Sequence, residues 1–165
     1  GNITATRSDG MSGHVARELL LLKKPVILGG GSGFMITRNV FDETGGFDAR
    51  LSTSADWEFW YRISSKYCVD FVKEPLILYR NHNSNMHNNV AAMEHDVELG
   101  FEKAFAGASE ELRAIKRTCY GNFQFMLAGS YYHAGNYAAF FRTALKSVWY
   151  DPRNLAGFLK LPGKK

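Results

Sequence analysis

Gly45-Gly46-Phe47-Asp48, then Ala55-Asp56-Trp57-Glu58, then Tyr79-Arg80-Asn81-His82: these three stretches, in this order, decide how the chain is read. They place a single carboxylate, Asp56, at the expected start of a helix. A glycine-rich loop precedes it and a polar loop follows. Backbone N–H groups and the helix dipole favour the charged form of an acid in a first helical turn. An ionised carboxylate there suits a general base acting on a hydroxyl, although the placement does not raise its basicity. The same position is equally that of an acid that merely stabilises its helix, and Thr53, three residues earlier, would suit a capping box. Glu58 is two residues further on and points elsewhere, because i and i+2 do not share a helical face. The two acids are therefore not a natural acid–base pair.

Two flanking segments bear on the same chemistry. Gly29-Gly30-Gly31-Ser32-Gly33 would let a ligand approach the backbone closely, or place N–H groups around an anion. It lacks the Gly-Lys-Ser/Thr of a nucleoside triphosphate loop and the spacing of a dinucleotide fingerprint. Ser32 has no His and Asp in a nucleophile-elbow context. On the other side, Arg80 and His82 alternate on an extended segment and face the same way. A guanidinium matches phosphate geometry, and an imidazole donates a hydrogen bond or binds a metal. His87 is a second imidazole in the same Asn-rich loop, but two histidines with no nearby carboxylate do not define a metal site.

The periodicity predicts helices over 14–24, 38–44, 55–66, 91–106, 109–133 and 137–149, and strands over 3–6, 34–36, 69–72 and 76–79. Pro25 stops the first helix, Gly45 closes the second, and Ser52-Thr53-Ser54 supply caps for the third. Composition changes after residue 90, so the chain divides into 1–90 and a helical 91–165. Leu127-Ala128, Tyr131, Gly135, Tyr137, Ala144-Leu145 and Pro152 fit the spacing of one tetratricopeptide-like hairpin. A single hairpin does not bury itself and has to pack on something. As an interaction module it would expose an apolar groove near Tyr131, Tyr132 and Phe141.

The composition is that of an ordinary folded domain, with 45% hydrophobic residues, 22% charged and twelve Phe, eight Tyr and three Trp. A net charge of +4, dispersed except for the short tail of Lys160, Lys164 and Lys165, does not provide a nucleic-acid surface. Cys68 and Cys119 stand among apolar neighbours and read as reduced packing residues, which places the parent protein inside the cell. No apolar run approaches the length of a spanning helix.

Taken together, the segments resemble the C-terminal half of family 2 glycosyltransferases, the inverting enzymes of GT-A fold. The resemblance runs over about residues 25–90: Gly30 to Phe41, Thr44-Gly45-Gly46-Phe47-Asp48, Ala55 to Arg62, Glu74-Pro75-Leu76 and Tyr79-Arg80-Asn81-His82. It implies an α/β chain, a partial GT-A-like mixed domain followed by the helical hairpin extension. It also implies a bacterial transferase of polysaccharide biosynthesis that moves a sugar from a nucleotide-sugar donor to a glycan or glycolipid. Asp56 takes the place of the catalytic base, with Ala55 where the family usually has a first acid. Gly31, Ser32 and Gly33 match the segment near acceptor and donor sugar, Trp57 shapes the pocket, and Arg80 meets the diphosphate. His82 matches a residue that joins the metal, Mg²⁺ or Mn²⁺ in an intact parent. The family's donor-binding strands and Asp-Xaa-Asp ligands have no counterpart before Gly29. By itself the chain is therefore expected to be inactive and to hold no metal tightly. The implied location is cytoplasmic, and the reading leaves room for peripheral contact with the inner face of a membrane and for a homodimer of the fragment.

Overall fold

The computed structural model describes residues 3, 5–80 and 89–159. Its α-helices are α1 (Ala16–Leu21), α2 (Arg38–Thr44), α3 (Ala55–Ser64), α4 (Val90–Ala106), α5 (Glu110–Ala114), α6 (Lys116–His133), α7 (Tyr137–Tyr150) and α8 (Leu155–Phe158). Two single turns of 3₁₀ helix cover Gly30–Ser32 and Pro152–Asn154.

The expected α/β class is overturned: among the described residues there is no strand and no sheet, and one isolated antiparallel bridge joins Gly13 to Val69. A strand exists only when its N–H and C=O groups meet a neighbour's, and β propensity reports packing on a pleated surface. The segments expected as strands have the right apolar residues, but their ladder stops after one exchange, Gly13 N to Val69 O at 2.7 Å and Val69 N to Gly13 O at 3.0 Å. Val72, Leu76, Leu78 and Tyr79 stay exposed on an irregular segment.

The chain forms two compact units, Gly1–Leu20 with Lys24–Ala104, and Leu21–Lys23 with Phe105–Lys165. In the first, Phe59 of α3 is the centre of an aromatic cluster. The rings of Phe34, Phe41 and Phe47 lie 5.9, 6.1 and 4.9 Å from its centroid, and the Arg62 guanidinium lies over its face at 5.1 Å. The motifs Gly30 to Phe41 and Thr44 to Asp48 thus send three aromatic rings to the same point. Trp57 is buried on the adjoining side of α3 against Phe101, and its indole donates to Leu19 O at 3.0 Å. Gly100 admits that ring, since a Cβ there would fall 2.5 Å from it.

In the second unit α6 and α7 form an antiparallel hairpin around Phe123, Leu127, Ala128 and Tyr131. The expected single helix over 109–133 is broken at Ile115 into α5 and α6. Ser109 caps α5 through Leu112 N, and Asn136 caps α7 through Ala139 N at 3.1 Å. Cys119 is fully buried, as expected, whereas Cys68 is exposed and lies 3.3 Å from His14 Nε2. None of the described helices is long and apolar enough to cross a membrane.

Candidate functional site

Asp56 begins its helix against the glycine turn. Gly29 and Gly30 have φ of +91° and +62°, left-handed values that glycine adopts without strain. Gly29 and Gly33 touch through their backbones: a Cβ at Gly33 would fall 2.6 Å from Gly29 Cα. The turn is therefore closed on itself, with Gly33 N donating to Gly30 O at 3.1 Å. Its open side faces Asp56, where Cβ atoms placed at Gly30 or Gly31 would each stand 3.9 Å from Oδ2. The Ile77 side chain lies against Gly29, so the segment that leads to Arg80 passes the same turn.

The Asp56 carboxylate is half-buried and accepts the Trp57 N–H at 2.8 Å, with further N–H donation from its own backbone and from Gly31. Burial outweighs these donors and pushes the carboxyl above the ordinary carboxylate range. The helix-start position alone implied the opposite; the reversal comes from burial, which the N–H donors, Gly31 among them, only partly offset. A carboxylate of raised pKa, open on one side and fixed by N–H groups on the other, is suited to taking a proton from a neutral hydroxyl.

The other residues singled out from the sequence fall into three groups. Gly31, Ser32 and Gly33 sit with Asp56, Ser32 exposed on the turn. Trp57 follows Asp56 but turns into the core, where it anchors the helix that carries the acid. Arg80 is exposed at the end of its segment, and His82 lies outside the described residues. The described residues bring no three His, Cys, Asp or Glu side chains together as metal ligands, so the divalent ion that the resemblance implies finds no donor set within them. The chemistry below is routed through the chain's own groups.

Sequence reasoning missed what holds α3 in place. Asp96 of α4, almost wholly buried, accepts the backbone N–H groups of Ser52, Thr53 and Ser54 at 2.7, 2.6 and 3.1 Å through one oxygen. Ser54, the residue before the helix, makes no side-chain cap. The turn that leads into the helix is instead held by a residue 42 to 44 positions away. Burial opposes the charge of Asp96, but these donors and the His95 ring outweigh it and hold the carboxyl below its usual range. Glu58, also buried, forms an ion pair with Arg62 at 2.9 Å and receives Lys103 Nζ. Arg62 in turn donates to the carbonyls of Thr44 and Gly46, and Lys103 reaches Asp48 at 2.8 Å. The Gly45-Gly46-Phe47-Asp48 loop is thereby tied to the back of the helix that presents Asp56.

A half-buried acid thus stands beside a glycine turn at a helix start. The model of one family, glycosyltransferase like family 2, matches residues 6–123, a span that contains this turn, Asp56, Asp96 and Glu58. The chain belongs to this family. No curated protein and no solved structure matches it.

Proposed function

We propose that this chain carries the acceptor-activating part of an inverting glycosyltransferase, with Asp56 as general base. The acceptor hydroxyl, on a glycan or glycolipid, attacks the anomeric carbon of a nucleotide sugar. A new C–O bond forms while the bond to the diphosphate breaks, the acceptor proton passes to Asp56, and the nucleoside diphosphate leaves. In the turn that Gly31, Ser32 and Gly33 form, Gly31 lets the sugar ring approach the acid without a side chain in the way, and the exposed Ser32 hydroxyl is at hand for the sugar. Trp57 acts by holding α3 in place, and Arg80 supplies positive charge to the diphosphate. The reading carries with it a cytoplasmic site of action, where nucleotide sugars are at hand.

The observation that carries this reading is the Asp56 carboxylate against the Gly30–Gly31 turn, raised in pKa by burial, in a chain of this family. The test is release of nucleoside diphosphate by the natural gene product that contains this sequence, measured alongside the 165-residue chain, which by this reading supplies the base but not the donor site. Asp56→Asn is expected to lower turnover ~10²-fold or more while donor affinity stays within about twofold. A variant that turns over at the unsubstituted rate removes Asp56 from the role.

A further inference from the structure

Helix α7 is inside out. Its two fully buried residues are Thr143 and Ser147, whereas Phe141, Leu145 and Trp149 are 63%, 74% and 65% exposed and Tyr137 is 48% exposed. The four large side chains recur at every fourth position and so lie along one ridge of the helix. The middle of the seam against α6 is built from small and polar groups: Ser147 Oγ donates to Gly121 O at 2.9 Å, and Asn154 Nδ2 donates to Ser147 Oγ at 3.0 Å. Aromatic pairs close its two ends, Tyr132 with Phe140 at 5.5 Å and Tyr120 with Tyr150 at 5.3 Å. Close helix contact through small residues, with bulky apolar side chains turned outward, is the arrangement that an apolar surrounding favours.

The charge around the ridge has one sign. Helix α7 contains Arg142 and Lys146 and no acid. The Arg117 guanidinium lies over the Trp149 ring at 5.1 Å and donates to Trp149 O at 2.7 Å. The whole unit, Leu21–Lys23 with Phe105–Lys165, has ten Lys and Arg against three Asp and Glu. Of those three, Asp151 is buried and bound to Arg153, and Glu110 and Glu111 are on α5. At 14 residues α7 does not span a bilayer. An apolar, aromatic ridge with basic flanks belongs to helices that lie in the plane of an anionic interface.

We propose that α7 docks flat on an anionic lipid surface, with Phe141, Leu145 and Trp149 at the boundary between headgroups and acyl chains and Lys146, Arg142 and Arg117 at the lipid phosphates. A second copy of the chain is the weaker occupant. A single ridge of four side chains is narrow beside the ~800 Å² per partner of a stable interface, and pairing two such faces would set like charges together. The inference stands on α7 alone and is independent of the role of Asp56.

The experiment is co-sedimentation of the full chain with phosphatidylglycerol–phosphatidylcholine vesicles and with phosphatidylcholine alone. Uptake by the anionic vesicles is expected, weakened by salt, with little uptake by the neutral ones. Phe141→Asp with Leu145→Asp should lower the partition coefficient ~10-fold or more. Lys146→Glu, which leaves the ridge intact, should lower only the anionic component. The vesicle-induced blue shift of tryptophan emission should disappear in Trp149→Phe. The proposal is overturned by no uptake on anionic vesicles at low salt, or by uptake that survives the double substitution. It is equally overturned by a concentration-dependent dimer that the double substitution dissolves while no vesicles are bound.

Discussion

Residues Gly1–Leu20 and Lys24–Ala104 carry ten Lys and Arg against thirteen Asp and Glu, whereas Leu21–Lys23 and Phe105–Lys165 carry ten against three. The two units use charge for different ends. In the first, long stretches have no regular secondary structure, so backbone N–H groups need acceptors from elsewhere. The buried carboxylate of Asp96 accepts three of them in the turn before α3, and buried Glu58 fixes Arg62 and Lys103, which donate to the carbonyls and to Asp48 of the loop after α2. In the second, the hairpin helices satisfy their own backbone, and Asp151 is the one acid in its core. Its cations outnumber its acids by ten to three. Buried acids hold one unit together, and an excess of bases marks the other.

The largest test of that division is Phe59→Ala. Three aromatic rings converge on this one, and its loss should destabilise the chain by about 3–5 kcal/mol. Hydrogen exchange should report the loss across residues 38–64 while protection in α6 and α7 is retained. Equal loss of protection in the hairpin would break the comparison, because the two units would then open together.

The same contrast explains what could be read from the sequence. Helices α2, α3 and α7 end within two residues of the expected positions because their signals are local: Gly45 after α2, the Ser and Thr residues before α3, and Gly135-Asn136 before α7. Asp56 was legible for the same reason, as a first-turn acid behind a glycine run. The partners that decide its environment were not. It is half-buried beside a turn about 25 residues upstream, and the turn before its helix is held from α4. Neither contact leaves a mark at the spacing where a sequence pattern is read. The strands failed for a related reason: Val69 to Val72 and Leu76 to Tyr79 have strand-like composition, but among the described residues the first meets one bridging residue, Gly13, and the second none. The groove expected near Tyr131, Tyr132 and Phe141 is displaced as well: Tyr131 is buried, and the exposed ridge continues from Phe141 to Leu145 and Trp149. Helical periodicity finds the two faces of α7 but does not say which is turned inward, and Gly121 with Ser147 settles that through a close approach.

Asp96 sharpens the comparison at the next level of effect. Asp96→Asn keeps the shape but removes the charge that three N–H groups share, and should cost about 2 kcal/mol at neutral pH. Its folded-state pKa lies below the ordinary value, so its contribution is complete above that value, near pH ~4, and is lost as the pH falls through the folded one. The unsubstituted chain should therefore lose stability in acid, and the loss should be smaller in Asp96→Asn. Denaturant midpoints measured from neutral pH down to about pH 3 would show it. Parallel acid profiles for the two proteins would mean that Asp96 is not the anchor.

Asp56 has the opposite sign, so the two acids at this helix start can be told apart. Its folded-state pKa is raised, so the fold disfavours the ionised form and is weakened, not strengthened, as the pH rises through the ordinary carboxylate range. Asn in its place keeps an oxygen for the Trp57 N–H and removes the charge from beside the Gly30–Gly31 turn. Asp56→Asn is therefore expected to leave the melting temperature unchanged or slightly higher, while Asp96→Asn lowers it. An acid that merely capped its helix would behave as Asp96 does. A clear fall in melting temperature for Asp56→Asn would return Asp56 to that structural role. A stable variant that no longer releases nucleoside diphosphate has lost something the fold did not need, which is what a general base would be.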